Sequence, residues 1–463
     1  MNCESVPICT LSVKSCQYMQ LIELFTNLYQ VKPKFFVRVP GRVNLIGEHI
    51  DYCGYSVCPM ALDQDVLLAV SIDTDKMLHL HNTDPKFENY ECSIDNIEIN
   101  IKEKVPHWYQ YYLCGVKGIL DILPNDVNLT GMKVVVSGNV PQSAGLSSSS
   151  ALVSAAALAT AHSHKLSISK EKMANLCADC ERYIGTQGGG MDQAIAFLAN
   201  EGCAKHIEFN PLRSTDVTLP GRATFVIAHS LISMNKAATA DFNCRVIECR
   251  LAAQILAYKR GVDWTKIKRL SELQQSLSLN LSQMISLVES TLHEQLYTMD
   301  EIVTELGTSF QALEATSLTP NTKQIKTFKL RQRALHVFNE ALRVKTFIEV
   351  CSRGNAEGDG SNDQVLPTLG RLMSESHESL KELYECSHPQ LDRLVELSKN
   401  YTFGTRLTGA GWGGCTVSLL SPENVEKYMD FLKENYYKEL GIVEGFSSIL
   451  FATAPRGGAC IYV

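Results

Sequence analysis

The sequence predicts an α+β chain of two domains, and three observations carry that prediction. The first half alternates short β-branched runs with helical stretches, the second half is mostly helical, and 463 residues exceed what one compact core of ordinary size accommodates. The alternation alone fits an α/β sheet as well as an α+β one.

Taken in order, FFVRV (35 to 39), DVLLAVSI (65 to 72), MKVVVS (132 to 137) and ATFVIAH (223 to 229) have the residue types that suit a pleated, half-buried surface and are read as strands. Between them, ALVSAAALATAH from Ala151 and KEKMANLCADCERYI from Lys170 are read as helices. The first is almost wholly small and apolar and is therefore expected to be buried. The HIEFNPL segment is read as a strand, and the boundary between domains 1–215 and 216–463 is set just after it. From Asp241 to Val350 helix formers dominate with no strand run, so a helical insert is expected. Residues 352–363, polar and glycine-rich, are read as an exposed loop. Then come a further helical region, a GCTVSLL strand, a helix with Ser421 as cap and Pro422 as first residue, and two short terminal strands. There is no internal repeat.

Composition excludes several functions. With 45% hydrophobic and 20% charged residues the chain is globular, and its net charge of −7, with 43 Lys and Arg spread evenly, offers no basic stripe for nucleic-acid phosphates. The first twenty residues lack a basic region followed by an apolar run, and nowhere do 18 apolar residues follow one another, so neither secretion nor a membrane span is expected. Sixteen scattered cysteines in a chain with a sufficient core suit reduced thiols, hence a cytoplasmic location. On that reading the sequons at Asn128, Asn280 and Asn400 are incidental.

Four segments carry chemistry. VPQSAGLSSSSALVSAAALATA, from Val140, runs from a strand through a turn into a small-residue helix, gathering free N–H groups and hydroxyls at a helix N-terminus, which suits phosphate; it is not a Walker A loop, and a plain serine-rich cap fits equally. PGRVNLIGEHIDYCGYSVCPMAL, from Pro40, concentrates Arg42, Glu48, His49 and Asp51 beside a strand end, the density of donors and acceptors a polyol requires; the bland alternative is a solvated loop. ERYIGTQGGGMDQ, from Glu181, delivers Asp192 from a glycine turn, as a general base or an Asx turn. RLTGAGWGGC, from Arg406, offers glycines for a phosphate nest or for close packing. Cys177 and Cys180 form an isolated C-x-x-C inside a predicted helix and are read as structural, and His162 and His164 point to different helix faces.

Together these segments resemble a known family. GRVNLIGEHIDY matches the galactokinase signature, PQSAGLSSSSA the phosphate loop of the GHMP kinase superfamily, and RLTGAGWGGC that superfamily's third motif. The resemblance covers nearly the whole chain, including LMSESHESLKELYECSHPQLDRLV (372 to 395). Within the galactokinase family it is nearest to the eukaryotic members that phosphorylate N-acetylgalactosamine, with galactose-phosphorylating members second.

The resemblance implies a two-lobed fold with ATP, Mg2+ and a sugar in the cleft between lobes, an enzyme rather than a sugar-sensing relative, and a monomer that binds no nucleic acid or membrane. It implies that Arg42, Glu48, His49, Asp51, Gly190 and Asp192 bind the sugar, with Asp192 as base facing the C1 hydroxyl and Arg42 offsetting charge on the migrating phosphoryl group. Gly145, Ser147, Ser148 and Ser149 would hold phosphates, Trp108 would lie near the adenine, and Asn235 and Lys236 near the nucleotide or the substrate cleft. Ser149 and Glu181 would hold the metal. The chain departs from the common galactokinase pattern at Ser150, usually Ala, at Gln110, usually Asn, at Gln142, usually a second proline, and at Phe242, commonly Tyr. Loss of the tyrosine hydroxyl favours the larger sugar. The helical insert is also open to a protein-binding role.

Overall fold

The strand that leads into the sugar-signature segment is longer than its β-branched core predicts. It runs Phe35–Ile46 and is buried along nearly its whole length. Pro40 and Gly41 read as punctuation in the sequence, but a register shift between Pro40 and Arg42 lets the pairing continue past them. The structure, a computed structural model, describes residues 4–11, 16–100, 105–233, 240–319, 322–356 and 364–463.

Two sheets organise the described residues. The first has seven strands in the order Ile8–Cys9, Cys460–Tyr462, Phe35–Ile46, Cys58–Asp73, Gly131–Gly138, Met77–Asn82 and Tyr90–Ser93. The second has four antiparallel strands in the order Gly404–Thr408, Cys415–Leu420, Thr224–His229 and Leu450–Thr453. This arrangement of helices and sheets is α+β. The last strand returns to the first sheet, so a single cut near residue 215 leaves one strand on the far side. No helix among the described residues is long and apolar enough to cross a membrane.

Helices Trp108–Leu120 and Ser148–Ser163 cover one face of the first sheet and share a core with it. The second of these begins three residues before Ala151, because the serines form its first turn. Cys177 and Cys180 are buried free thiols in helix Lys170–Cys180, which gives way to a 3-10 turn at Glu181–Ile184 where a continuous helix was expected.

The insert is helical, with two departures. Tyr297–Thr298 and Thr327–Phe328 pair as a minimal ribbon, too short for any periodicity to reveal. Residues 352–356, expected in a loop, complete the helix Leu330–Ala356, and 357–363 lie outside the described residues. Ser421 makes no side-chain cap bond; Pro422 opens a short 3-10 turn, Pro422–Asn424, ahead of the helix Val425–Leu432.

Candidate active site

Three left-handed residues at alternate positions, Ser143 (φ 50), Gly145 (φ 72) and Ser147 (φ 64), shape the loop before helix Ser148–Ser163. Such a turn directs successive N–H groups to one side, as in an anion-binding nest, and here it opens onto a helix N-terminus. Ser147 caps that helix without a side-chain bond to it, and its buried Oγ has no hydrogen-bond partner in the structure.

The third motif locks onto this loop. A Cβ on Gly145 would stand 2.5 Å from the Thr408 carbonyl oxygen, and one on Gly409 2.5 Å from the Gly145 carbonyl oxygen. The two glycines are required because two backbones meet there, so close packing accounts for at least part of the RLTGAGWGGC pattern.

The loop, the third motif and Trp108 line a cavity of about 400 Å³, which also holds Ser148, Ser149, Ser150, Glu181, Thr186 and Asp192. Trp108 donates from Nε1 to the Glu88 carbonyl at 2.9 Å, and Phe87 lies beside its ring at 6.1 Å. Gln110 serves the helix itself: its Oε1 accepts from His107 N–H at 2.8 Å and its Nε2 donates to the Asn100 carbonyl at 2.9 Å.

A second, smaller cavity gathers Arg42, Glu48, His49, Asp51, Gly190 and Phe242, and it shares Glu181, Thr186, Asp192 and Ala410 with the first. The groups the sequence assigns to sugar and to phosphate therefore face adjoining spaces. Asn235 and Lys236 lie outside the described residues.

Asp192 stands in the first turn of helix Met191–Leu198, after Gly190 (φ 101). The glycine run packs against the sugar-signature turn so tightly that a Cβ on Gly189 would lie 2.3 Å from the Tyr52 nitrogen. Met191 N–H in turn donates to Asp51 Oδ2 at 3.4 Å. Arg42, almost wholly buried, places Nη2 2.8 Å from Asp192 Oδ1 and donates from Nη1 to the Gly145 carbonyl. One guanidinium thus joins the carboxylate to the phosphate loop.

Glu48 and His49 are held more by protein than the sequence suggests. Glu48 Oε2 accepts from Arg406 Nη2 at 3.1 Å and from Gly409 N–H at 2.9 Å. His49 (φ 63) pairs Nε2 with the Ala410 carbonyl at 2.9 Å and Nδ1 with Tyr52 Oη at 2.8 Å. Tyr52 Oη contacts Tyr384 Oη at 2.6 Å, and burial pushes both phenols well above their ordinary pKa, so both remain protonated. With both ring nitrogens engaged, His49 contributes shape and rigidity to the cavity wall. The left-handed strain of a histidine is held by these contacts.

No local pattern marks the support beneath this turn. Fully buried Glu340, on helix Leu330–Ala356, accepts on Oε1 from Gly47 N–H (2.9 Å), Glu48 N–H (3.2 Å) and Ser376 Oγ (2.7 Å), while Arg343 Nε donates to Oε2 at 2.7 Å. Burial alone would raise the Glu340 pKa; the Arg343 charge beside it, with smaller help from His336, Arg406 and Ser376 in that order, outweighs burial and lowers it to about 2. His336, one turn earlier, meets the Glu48 carbonyl through Nε2 at 3.1 Å, and burial holds its pKa down at about 4. On an amphipathic helix such residues look solvent-facing. Arg406 comes from the wholly buried strand Gly404–Thr408, at the start of the third motif.

Comparison with known proteins follows the same segments. The model of the galactokinase galactose-binding signature matches residues 23–72, that of the GHMP kinase N-terminal domain 115–200, and that of the GHMP kinase C-terminal region 362–438. A galactokinase of Dictyostelium discoideum is 41% identical over 471 aligned residues, covering 96% of this chain and 94% of the relative. A galactokinase of Saccharomyces cerevisiae is 33% identical with the same coverage. Among solved structures, Lactococcus lactis galactokinase complexed with galactose superposes with a TM-score of 0.74 at 23% identity, covering 96% of this chain and 99% of that one, a likeness of fold.

Proposed function

The chain belongs to the galactokinase family of the GHMP kinases and is a sugar kinase, and from that premise we propose that it transfers the γ-phosphoryl group of ATP to the C1 hydroxyl of a galactose-configured sugar, giving the 1-phosphate and ADP. The observation that carries the reading is the shared wall of the two cavities. Asp192 lines both, between a recess with the polar density of a polyol site and a larger space edged by the phosphate loop.

In this reading Asp192 accepts the C1 hydroxyl proton. Arg42 orients that carboxylate through the 2.8 Å pair and lies close enough to offset charge on the migrating phosphoryl group. Phosphoryl transfer passes through a loose transition state, so positioning and charge neutralisation do most of the catalysis. Free N–H groups at the start of helix Ser148–Ser163, with Gly145 and Ser147, receive the phosphates. Trp108 and Phe87 form the apolar wall suited to the adenine.

Ser149 and Glu181 both line the nucleotide cavity, and a hydroxyl with a carboxylate is a hard oxygen set of the kind Mg2+ takes from a protein when phosphates and water supply its other ligands. These residues fit the metal. The chemistry a bound Mg2+ supplies there is neutralisation of phosphate charge. We take residues 1–215 and 216–463 as the two lobes, supported by the division of strands between the two larger sheets, with two exceptions: the returning last strand, and strand Arg213–Val217 of a separate hairpin, which the boundary cuts.

The relatives' names favour galactose as the main sugar, the reverse of the order read from the sequence. N-acetylgalactosamine is kept as the second reading because Phe242, at a position commonly Tyr in the family, packs beside His49 and Tyr52 on the sugar cavity with no hydroxyl to offer. Initial rates of ADP release with the two sugars side by side decide the order. A higher kcat/KM for N-acetylgalactosamine would overturn galactose as the main substrate, and no release with either would overturn the proposal.

A further inference from the structure

Ser150 lies in the first turn of helix Ser148–Ser163, 3% exposed. A serine inside a helix commonly spends its hydroxyl on the carbonyl four residues back, as Ser290 and Ser398 do here. For Ser150 that residue is Leu146, in the phosphate loop, whose carbonyl accepts the Arg42 backbone N–H at 3.1 Å. The Ser150 hydroxyl instead crosses to the neighbouring helix and donates to Asp192 Oδ2 at 3.3 Å.

The two oxygens of Asp192 are therefore held by different partners, Oδ1 by Arg42 and Oδ2 by Ser150. Arg42 lines the sugar cavity and Ser150 the nucleotide cavity, while Asp192 lines both. A carboxylate held at one oxygen can still swivel about its terminal torsion, which is broad. Held at both, it presents a fixed lone pair to an incoming hydroxyl.

We propose that Ser150 is a positioning residue for the phosphoryl transfer: it ties the first turn of the phosphate-loop helix to the Asp192 carboxylate, so that one rigid unit seats the phosphates and aims the base. This rests on the kinase reading above. Positioning of this kind acts in the transition state, where fractions of an ångström matter, more than on ground-state binding.

The test is steady-state kinetics of Ser150→Ala and Ser150→Thr, each first shown by thermal melting to fold. The Ala variant should lose about tenfold to 150-fold in kcat, the range expected for one hydrogen bond to a charged group, with KM for sugar and ATP within about twofold of wild type. The Thr variant keeps the hydroxyl and should recover kcat to within about threefold of wild type. Wild-type kcat in the Ala variant, a loss confined to KM for ATP, or equal deficits in the two variants would each overturn the inference. If Ala fails to fold, the Thr variant decides, its kcat either staying near wild type or refuting the role. Absence of sugar-dependent ADP release from the wild-type chain would instead overturn the kinase reading, and this inference with it.

Discussion

Arg42 Nη2 lies 2.8 Å from Asp192 Oδ1, joining a strand of the first sheet to the helix that follows the glycine turn. Almost every functional inference passes through this pair, because it stands where the two cavities meet.

Asp192→Asn keeps the side-chain shape and removes the proton acceptor. Turnover should fall by about a hundredfold to ten-thousandfold, the usual contribution of a general base, while ATP affinity measured by calorimetry stays nearly intact. Wild-type turnover in this variant would refute the assigned role.

Arg42→Ala strips the charge partner from a largely buried carboxylate and should lower stability by about 3 kcal/mol as well as abolish turnover. Urea denaturation checks the first effect; a loss below 1 kcal/mol would mean that the pair contributes little to the fold.

Gly145→Ala forces a Cβ against the Thr408 carbonyl at a residue with φ 72. It should cost about 1 to 3 kcal/mol and weaken ATP binding. Gly221, with nothing within 4 Å of its notional Cβ, is the control and should tolerate alanine within about 0.5 kcal/mol.

Acidification should loosen the support beneath the sugar-signature turn in two stages. His336 is held neutral by burial with its pKa near 4, against 6.5 for a free ring, so its contribution is lost as pH falls from about 6.5 to about 4. Glu340, depressed from 4.5 to about 2, contributes fully above about 4.5 and loses that contribution as pH falls towards 2. Half-buried His162 and His206 and buried His229 are pushed in the same direction as His336. Urea midpoints should therefore drop between pH 7 and pH 4, less steeply in a His336→Gln variant; an unchanged slope would show that His336 is not the group responsible.

The fold class and the core of the site were legible because their signals are local. Glycines and serines gather at a strand-to-helix junction, a pattern that suits phosphate as well as a plain cap, and Arg42, Glu48, His49 and Asp51 crowd one strand end. What stayed hidden depends on tertiary contact. Glu340 and His336 sit on a helix remote in sequence, with nothing local to mark them as buried. The direction of the Ser150 hydroxyl depends on Asp192, which lies on another helix 42 residues away, and the full length of strand Phe35–Ile46 depends on a bulge that pattern alone reads as a stop.

The most direct test of the central claim, that a hexose and a triphosphate meet at Asp192, is to incubate the purified chain with ATP, Mg2+ and galactose or N-acetylgalactosamine and to follow ADP while phosphorus NMR identifies the sugar product. The account predicts ADP and sugar 1-phosphate in equal amounts, with neither formed by Asp192→Asn. Phosphate on any hydroxyl other than C1, or ADP release that does not depend on the sugar, would contradict it.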